Sequence, residues 1–353
     1  MRSDTSSASQ PTPESAPPAT AHTERDRRPT AGQRLRRGML GSNIGPLIGA
    51  QLLLMLFFAT RSEFFFTSDN AINIGRQMAL VCIIALGVTV VLIAGEIDIS
   101  MAGVMAITSV ATGIVLRRGG DAATPISRVL LALLAGLAIG LSFGLFNGVV
   151  TVYGKAPSFL VTLGSLSVAS GLALSYNKSE SVPIGADRFV HTFSTKEIAG
   201  IPVLILYAAV VFVLVLALMR GTLFGIQAYA TGGNRESARL AGIPVRRVRI
   251  SALALCGTVA GFAGVIGTAR YSSALPNISP GIELDAIAAA VLGGTRLSGG
   301  FGTPIGTLMG AVLIATVGNG LTLLEVRSPI QQVIKGFVII AAVTADGLRA
   351  RRV

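Results

Sequence analysis

Ten apolar runs, nine of them at least 17 residues long, decide what this chain can fold into. A helix of that length crosses roughly 30 Å of hydrocarbon. The runs cover 44–60, 74–94, 100–116, 128–152, 158–175, 201–219, 249–269, 285–297, 303–324 and 330–346. They are continuous and do not alternate apolar with polar residues, as the strands of a membrane barrel do. Only 13% of the 353 residues are charged, against about 25% in a soluble domain. The expectation is an all-α polytopic membrane protein of about ten transmembrane helices, with one domain over 43–348.

The eighth run is the exception. It dissolves into Gly293-Gly294-Thr295-Arg296-Leu297-Ser298-Gly299-Gly300-Phe301-Gly302 and is too short to span alone. A half-helix or re-entrant segment fits, provided protein buries the irregular backbone. Residues 1–42 are rich in Ser, Pro, Thr, Ala and Arg. They hold too little apolar surface to offset ordering entropy, which predicts a disordered tail. The tail lacks the pattern of a signal peptide.

Arg and Lys set the orientation. Arg34, Arg36 and Arg37 precede the first run, and the basic stretch 349–353 follows the last. The 220–249 loop carries six arginines against one acid, Glu236, whereas charges in the 176–200 loop balance. Both termini and the 220–249 loop are expected in the cytoplasm of a multi-pass cell-membrane protein. Arg117, Arg118 and Arg128, opposed only by Asp121, run against this scheme because they would face outward. The net charge of +12 follows membrane orientation rather than nucleic-acid binding.

Gly136, Gly140, Gly144 and Gly148 recur every fourth residue and share one helix face. A neighbouring backbone can approach such a face closely, which is how helices pack in lipid. Gly302, Gly306 and Gly310 repeat the device, as do Gly257 and Gly261. Both a tight, fixed contact and a sliding interface need such glycines.

Chemistry is sparse. The 293–302 stretch lacks the Lys-Ser/Thr that ends a phosphate loop, so no nucleotide is expected on this chain. His22 and His191 are the only histidines, which leaves no metal site. Cys82 and Cys256 lie in apolar runs as packing residues. No acid–base or nucleophile constellation suggests an enzyme. Glu96 and Asp98, in Gly95-Glu96-Ile97-Asp98-Ile99-Ser100, are acids near membrane depth. They suit helix capping, a translocation pathway or gate, or proton coupling. Asn147 and Asn319 sit inside apolar runs and must find partners, either another helix or a polar solute.

The polar island at 231–250 is the place for an external partner. Asn234 is a good N-cap, Arg235 to Ala241 fit two helical turns, Gly242 stands at a C′ position, and Pro244 prevents continuation. Ala238 and Ala241 lie three apart and permit a close fit. A helix this short is marginal alone and needs a surface to pack on.

Three stretches resemble the permease subunits of bacterial ATP-binding-cassette sugar importers of the ribose, xylose, galactoside and autoinducer-2 group. They are Gly95 to Ser100; Tyr229-Ala230-Thr231-Gly232-Gly233-Asn234 through Gly242-Ile243; and Val291 to Gly300 with Gly306 and Asn319-Gly320. Glu96 departs from a usual glycine, and Ser237 from a usual alanine. The resemblance implies a pore of two permease copies or two homologous permeases. It implies a cytoplasmic ATPase subunit that carries ATP and Mg, contacted through Gly233, Asn234, Glu236, Ser237, Ala238 and Gly242. It also implies an extracytoplasmic solute-binding protein that delivers a monosaccharide or related polyol. Branched-chain amino acids or nucleosides are the alternative cargo. A proton-coupled secondary transporter using Glu96 and Asp98 is the alternative mechanism, and a non-transporting scaffold docked through 231–250 is a third reading.

Overall fold

The computed structural model describes residues 44–117, 124–176, 180–185, 187–278 and 280–350. The tail expected to be disordered, with His22, lies outside them, as do Arg118, Asp121 and residues 351–353.

Each apolar run coincides with a helix. These are α1 (Ile44–Arg61), α2 (Ser68–Ile93), α3 (Met101–Arg117), α4 (Ile126–Tyr153), α5 (Ser158–Tyr176) and α6 (Val203–Gly221). Two short helices follow, α7 (Leu223–Gly233) and α8 (Arg235–Leu240). Then come α9 (Val245–Arg270), α10 (Ile282–Leu292), α11 (Pro304–Leu323) and α12 (Ser328–Ala350). Six of them, α2, α4, α5, α6, α9 and α11, are long and apolar enough to cross a membrane, and shorter apolar helices supplement them. The only strands among the described residues are two-residue pairs, Val182–Pro183 with Ser273–Ala274 and Glu197–Ile198 with Ile201–Pro202.

The core forms around α2, buried from Leu80 to Ala94 almost without interruption. Helices α6, α9, α10 and α11 pack on it. α2 begins six residues before its apolar run because Thr67 caps it, accepting from Asn70 N. α4 and α9 meet along glycine faces. A Cβ on Gly140 would lie 2.2 Å from Gly257 O, and one on Gly261 would lie 2.2 Å from Gly136 O. Gly144 approaches Leu253 O and Gly148 approaches Ile250 in the same way. α10 and α11 repeat the contact, with Gly306 on Gly293 and Gly310 on Ala289. Gly302 stands outside this second ladder. It precedes the Thr303 N-cap of α11, and its close neighbour is Thr295.

The helices alternate between two ends of the bundle. α8, Glu96, Lys155 and the 293–302 stretch gather at one end. Residues 180–185, 187–202, 271–278, 280–281 and 324–328 lie at the other. There Val182 pairs with Ala274, Arg76 meets Glu197, and Phe189, Phe193, Tyr207 and Phe262 form an aromatic chain. Arg117 shares that second end, beside Tyr176, Val182 and Ala274. The described helices thus keep the sequence-level conflict with the positive-inside rule at this position. The outer flanks of α4, α5 and α6 expose leucine, valine and phenylalanine, as a lipid-facing surface requires.

Candidate functional site: a coupling end and a polar pocket

The polar island folds as its caps require. Asn234 accepts from Ser237 N at 2.9 Å and opens α8. Gly242 N donates to Arg239 O, and Ile243 N donates to Ala238 O. Together these form the two reverse bonds of a Schellman cap. Gly242 adopts φ +81°, a conformation that costs side chains about 1–2 kcal/mol. Glu236 and Arg239 pair on the exposed face, and the Arg239 hydrogen bond holds the Glu236 carboxyl below its usual range. One expectation changes. Of the two small residues, Ala238 turns inward and is buried, while Ala241 stays outside. The outward apolar side chain of α8 is Leu240, 74% exposed, and Leu223 and Ile226 of α7 are also exposed.

The three stretches that carry the sequence resemblance meet behind α8, with close backbone approaches at their glycines. A Cβ on Gly232 would lie 1.8 Å from Ile93 O and 2.6 Å from Gly300 N. One on Gly299 would lie 2.8 Å from both Gly95 Cα and Gly232 O, and one on Gly300 would lie 2.6 Å from Gly233 Cα. Gly300 N donates to Ile93 O at 3.0 Å, and the Tyr229 hydroxyl donates to Gly302 O at 2.7 Å. The 293–302 segment is therefore a wedge of irregular backbone with protein on both sides.

Glu96 locks this junction electrostatically. Its side chain is 2% exposed, and its Oε1 accepts from both Arg235 Nη2, at 2.6 Å, and Arg249 Nε. Arg235 opens α8 and also donates to Gly95 O. Arg249 lies in the first turns of α9 and is 16% exposed. One carboxylate between α2 and α3 thus holds the short helix and a long bundle helix at once.

Asp98 plays a local part. Its Oδ1 accepts from Ser100 N at 2.8 Å and from the Ser100 hydroxyl at 2.6 Å, just ahead of α3. Asn147 Nδ2 donates to Ser100 Oγ at 3.0 Å, and the Ser165 hydroxyl donates to Asn147 Oδ1. Ser158 and Thr162 of α5 accept from Ile97 N and Ile99 N. This network ties α4 and α5 to the 95–100 segment. Asn319 stands apart, near the other end, donating to Asn70 Oδ1 at 2.8 Å. Glu96, Asp98 and Asn147 are thus neighbours, whereas Asn319 is not among them.

A second feature was not anticipated from the sequence. At the end opposite α8, a cavity of about 430 Å³ is lined by Gln77, Arg270, Asp285, Gln331, Gln332 and Lys335, among others. Lys335 Nζ donates to Asp285 Oδ2 at 2.6 Å. The signal lay at the start of the last apolar run and just ahead of it, where Ser328, Gln331, Gln332 and Lys335 form a polar stripe at helical spacing. No cluster of three or more His, Cys, Asp or Glu that could hold a metal occurs among the described residues.

Comparisons with known proteins find a matching family and several relatives. Residues 70–343 match the family described as branched-chain amino acid transport system / permease component. The chain is 36% identical to the ribose import permease protein RbsC of Escherichia coli K12 over 301 residues, 84% of this chain and 91% of that protein. It is 36% identical to the RbsC protein of Bacillus subtilis 168, over 86% of this chain and 92% of that one. It is 34% identical to the L-arabinose ABC transporter permease protein AraH of Azospirillum brasilense, over 85% and 87%.

Proposed function

The chain belongs to the branched-chain amino acid transport system / permease component family, and from that premise we propose that it is the membrane-spanning permease subunit of an ATP-binding-cassette sugar importer. The meeting of the three glycine-bearing stretches around Glu96 carries this reading. It supplies a short, capped, outward-facing helix with rigid connections into the bundle. α8, with Leu240 outward and the Glu236–Arg239 pair beside it, is the seat for a cytoplasmic ATPase that holds ATP and Mg. Displacement of α8 passes through Arg235 to the α2–α3 junction and through Arg249 to α9. Such a push shifts the balance between two packings of the bundle. Both termini then lie in the cytoplasm. The opposite end receives an extracytoplasmic solute-binding protein, and the uncovered apolar flanks adjoin lipid and a second permease copy.

The cargo is a monosaccharide or related polyol. Relatives named for ribose and arabinose cover most of the chain, which favours sugars over the amino acids in the family description. The amides and the Asp285–Lys335 pair of the outer cavity suit hydroxyl groups, which both donate and accept. Glu96, Asp98 and Asn147 hold the coupling end together in this scheme, and solute contact falls to the outer cavity. Glu96 is taken up by its two ion pairs with Arg235 and Arg249, which favours a structural role at the junction over proton coupling.

The test is ATP-dependent uptake by the chain reconstituted with a cognate ATPase and solute-binding protein, against a panel of labelled pentoses, hexoses and branched-chain amino acids. Uptake of a sugar that survives a protonophore supports the proposal. Uptake that collapses with the proton gradient while ATP persists refutes it.

A further inference from the structure

Beside the Glu96 junction lies a cavity of about 560 Å³ that its ion pairs do not fill. Its wall includes Thr151 from the last turn of α4, Lys155 from the α4–α5 turn, Ser158 and Phe159 from α5, and Arg235, Arg249 and Glu96. Three cations therefore face one carboxylate. Lys155 has no ion pair among those described. The Thr151 hydroxyl is buried, without a hydrogen-bond partner, in the same wall. A buried polar group left unpaired calls for a ligand or a water. Excess positive charge selects an anion.

The surroundings indicate where that anion comes from. The cavity opens where α4 ends and α5 begins, so it lies at the level where the chain leaves the apolar layer. Tyr153, Phe159 and Leu160 are exposed beside it, as befits contact with acyl chains and the interface. Arg246 lies over the Tyr153 ring at 6.0 Å and adds a further cation at the rim. A headgroup phosphate with its tails against Phe159 and Leu160 satisfies both the charge and the apolar flank. Free phosphate satisfies only the charge.

We propose that this cavity binds the headgroup phosphate of an anionic phospholipid of the leaflet on the α8 side, with Lys155, Arg249 and the Thr151 hydroxyl as its donors. The side assigned to the leaflet rests on the orientation proposed above. Occupancy does not, because the lipid is read directly from the protein. The bound phosphate lies beside the guanidiniums that hold Glu96, so the coupling junction works next to a lipid charge.

The experiment uses the purified full-length chain and native mass spectrometry, titrated with phosphatidylglycerol or phosphatidylcholine of matched acyl chains. Phosphatidylglycerol should be retained preferentially. One Lys near a membrane surface contributes about 1 kcal/mol toward anionic lipid, so Lys155→Asn should weaken that retention about fivefold. Asn tolerates the left-handed backbone that Lys155 adopts (φ +53°), and Lys155→Arg should restore binding. Arg188→Gln, at the opposite end, should leave binding unchanged. Equal retention of the two lipids overturns the proposal, as does a Lys155→Asn variant that keeps its lipid while remaining folded. Displacement by inorganic phosphate at concentrations comparable to the lipid also overturns it, by assigning the cavity to a free anion.

Discussion

The double hold on Glu96 is the sharpest quantitative expectation. A guanidinium about 4 Å from a carboxylate gains about 4 kcal/mol at an effective dielectric near 20. Desolvation and side-chain ordering reduce this, and water reduces it unequally for the two partners. Arg235 is 48% exposed, so its pair should couple by about 1 kcal/mol or less, as surface pairs do. Arg249 is 16% exposed and pairs with a carboxylate that water hardly reaches. Breaking such a buried pair costs about 3–5 kcal/mol, and the residual exposure of Arg249 brings the expected coupling to about 2–3 kcal/mol. Two double-mutant cycles isolate the terms, one from Glu96→Gln with Arg249→Gln, the other with Arg235→Gln. The assay is equilibrium unfolding in mixed micelles, followed by helical circular dichroism. In transport assays, Arg235→Gln should keep nearly full stability yet lose uptake per ATP hydrolysed, because it releases α8 alone. Coupling to Arg235 equal to or above that to Arg249, or wild-type uptake by Arg235→Gln, refutes the division of labour.

Gly242→Val forces a branched side chain to φ +81° and should abolish ATPase co-purification while insertion into membranes persists. Gly140→Ala places a methyl 2.2 Å from Gly257 O and should cost about 1–3 kcal/mol by overpacking; Gly164→Ala, which meets nothing within 4 Å, should be neutral in the same unfolding assay. Asn147→Leu strands the Ser165 hydroxyl and removes the amide that donates to Ser100 Oγ, and should cost about 1–3 kcal/mol, measured likewise. Asp285→Asn should reduce solute uptake by leaving Lys335 unpaired, and adding Lys335→Gln should recover part of it.

Local features were the readable ones. Apolar length placed the ten helices of the apolar runs, and the Asn234 and Gly242 caps placed α8, because each depends on residues a few positions apart; α7 lay in what the sequence offered only as loop. The glycine face of α4 was visible for the same reason, although its partner was not. Pairings across long separations left no trace. Glu96 meets Arg235 and Arg249 across 139 and 153 residues, and no periodicity encodes that. Ala238 turned inward because α8 packs on its own chain before it packs on a partner. Gly302 shares the spacing of Gly306 and Gly310 but falls before the Thr303 cap, so helix periodicity does not apply to it. The outer cavity was overlooked because its polar residues come from α2, α9, α10 and α12, each contributing only one to four of them to an apolar background.

The glycine seam between α4 and α9 also has a consequence in time. α9 begins about 90 residues after α4 ends. At roughly 5–20 residues per second of synthesis, α4 waits on the order of 5–20 s in the bilayer for the surface it was built to meet. Throughout that interval its grooved face lies open to lipid or to any other helix with a glycine stripe. The network of Asn147 with Ser100 and Ser165 joins α4 only to segments made earlier or immediately afterwards. It can therefore close first and hold α4 in rotation until α9 emerges, so the order of synthesis assigns the polar bonds and the glycine seam successive tasks in assembling one bundle.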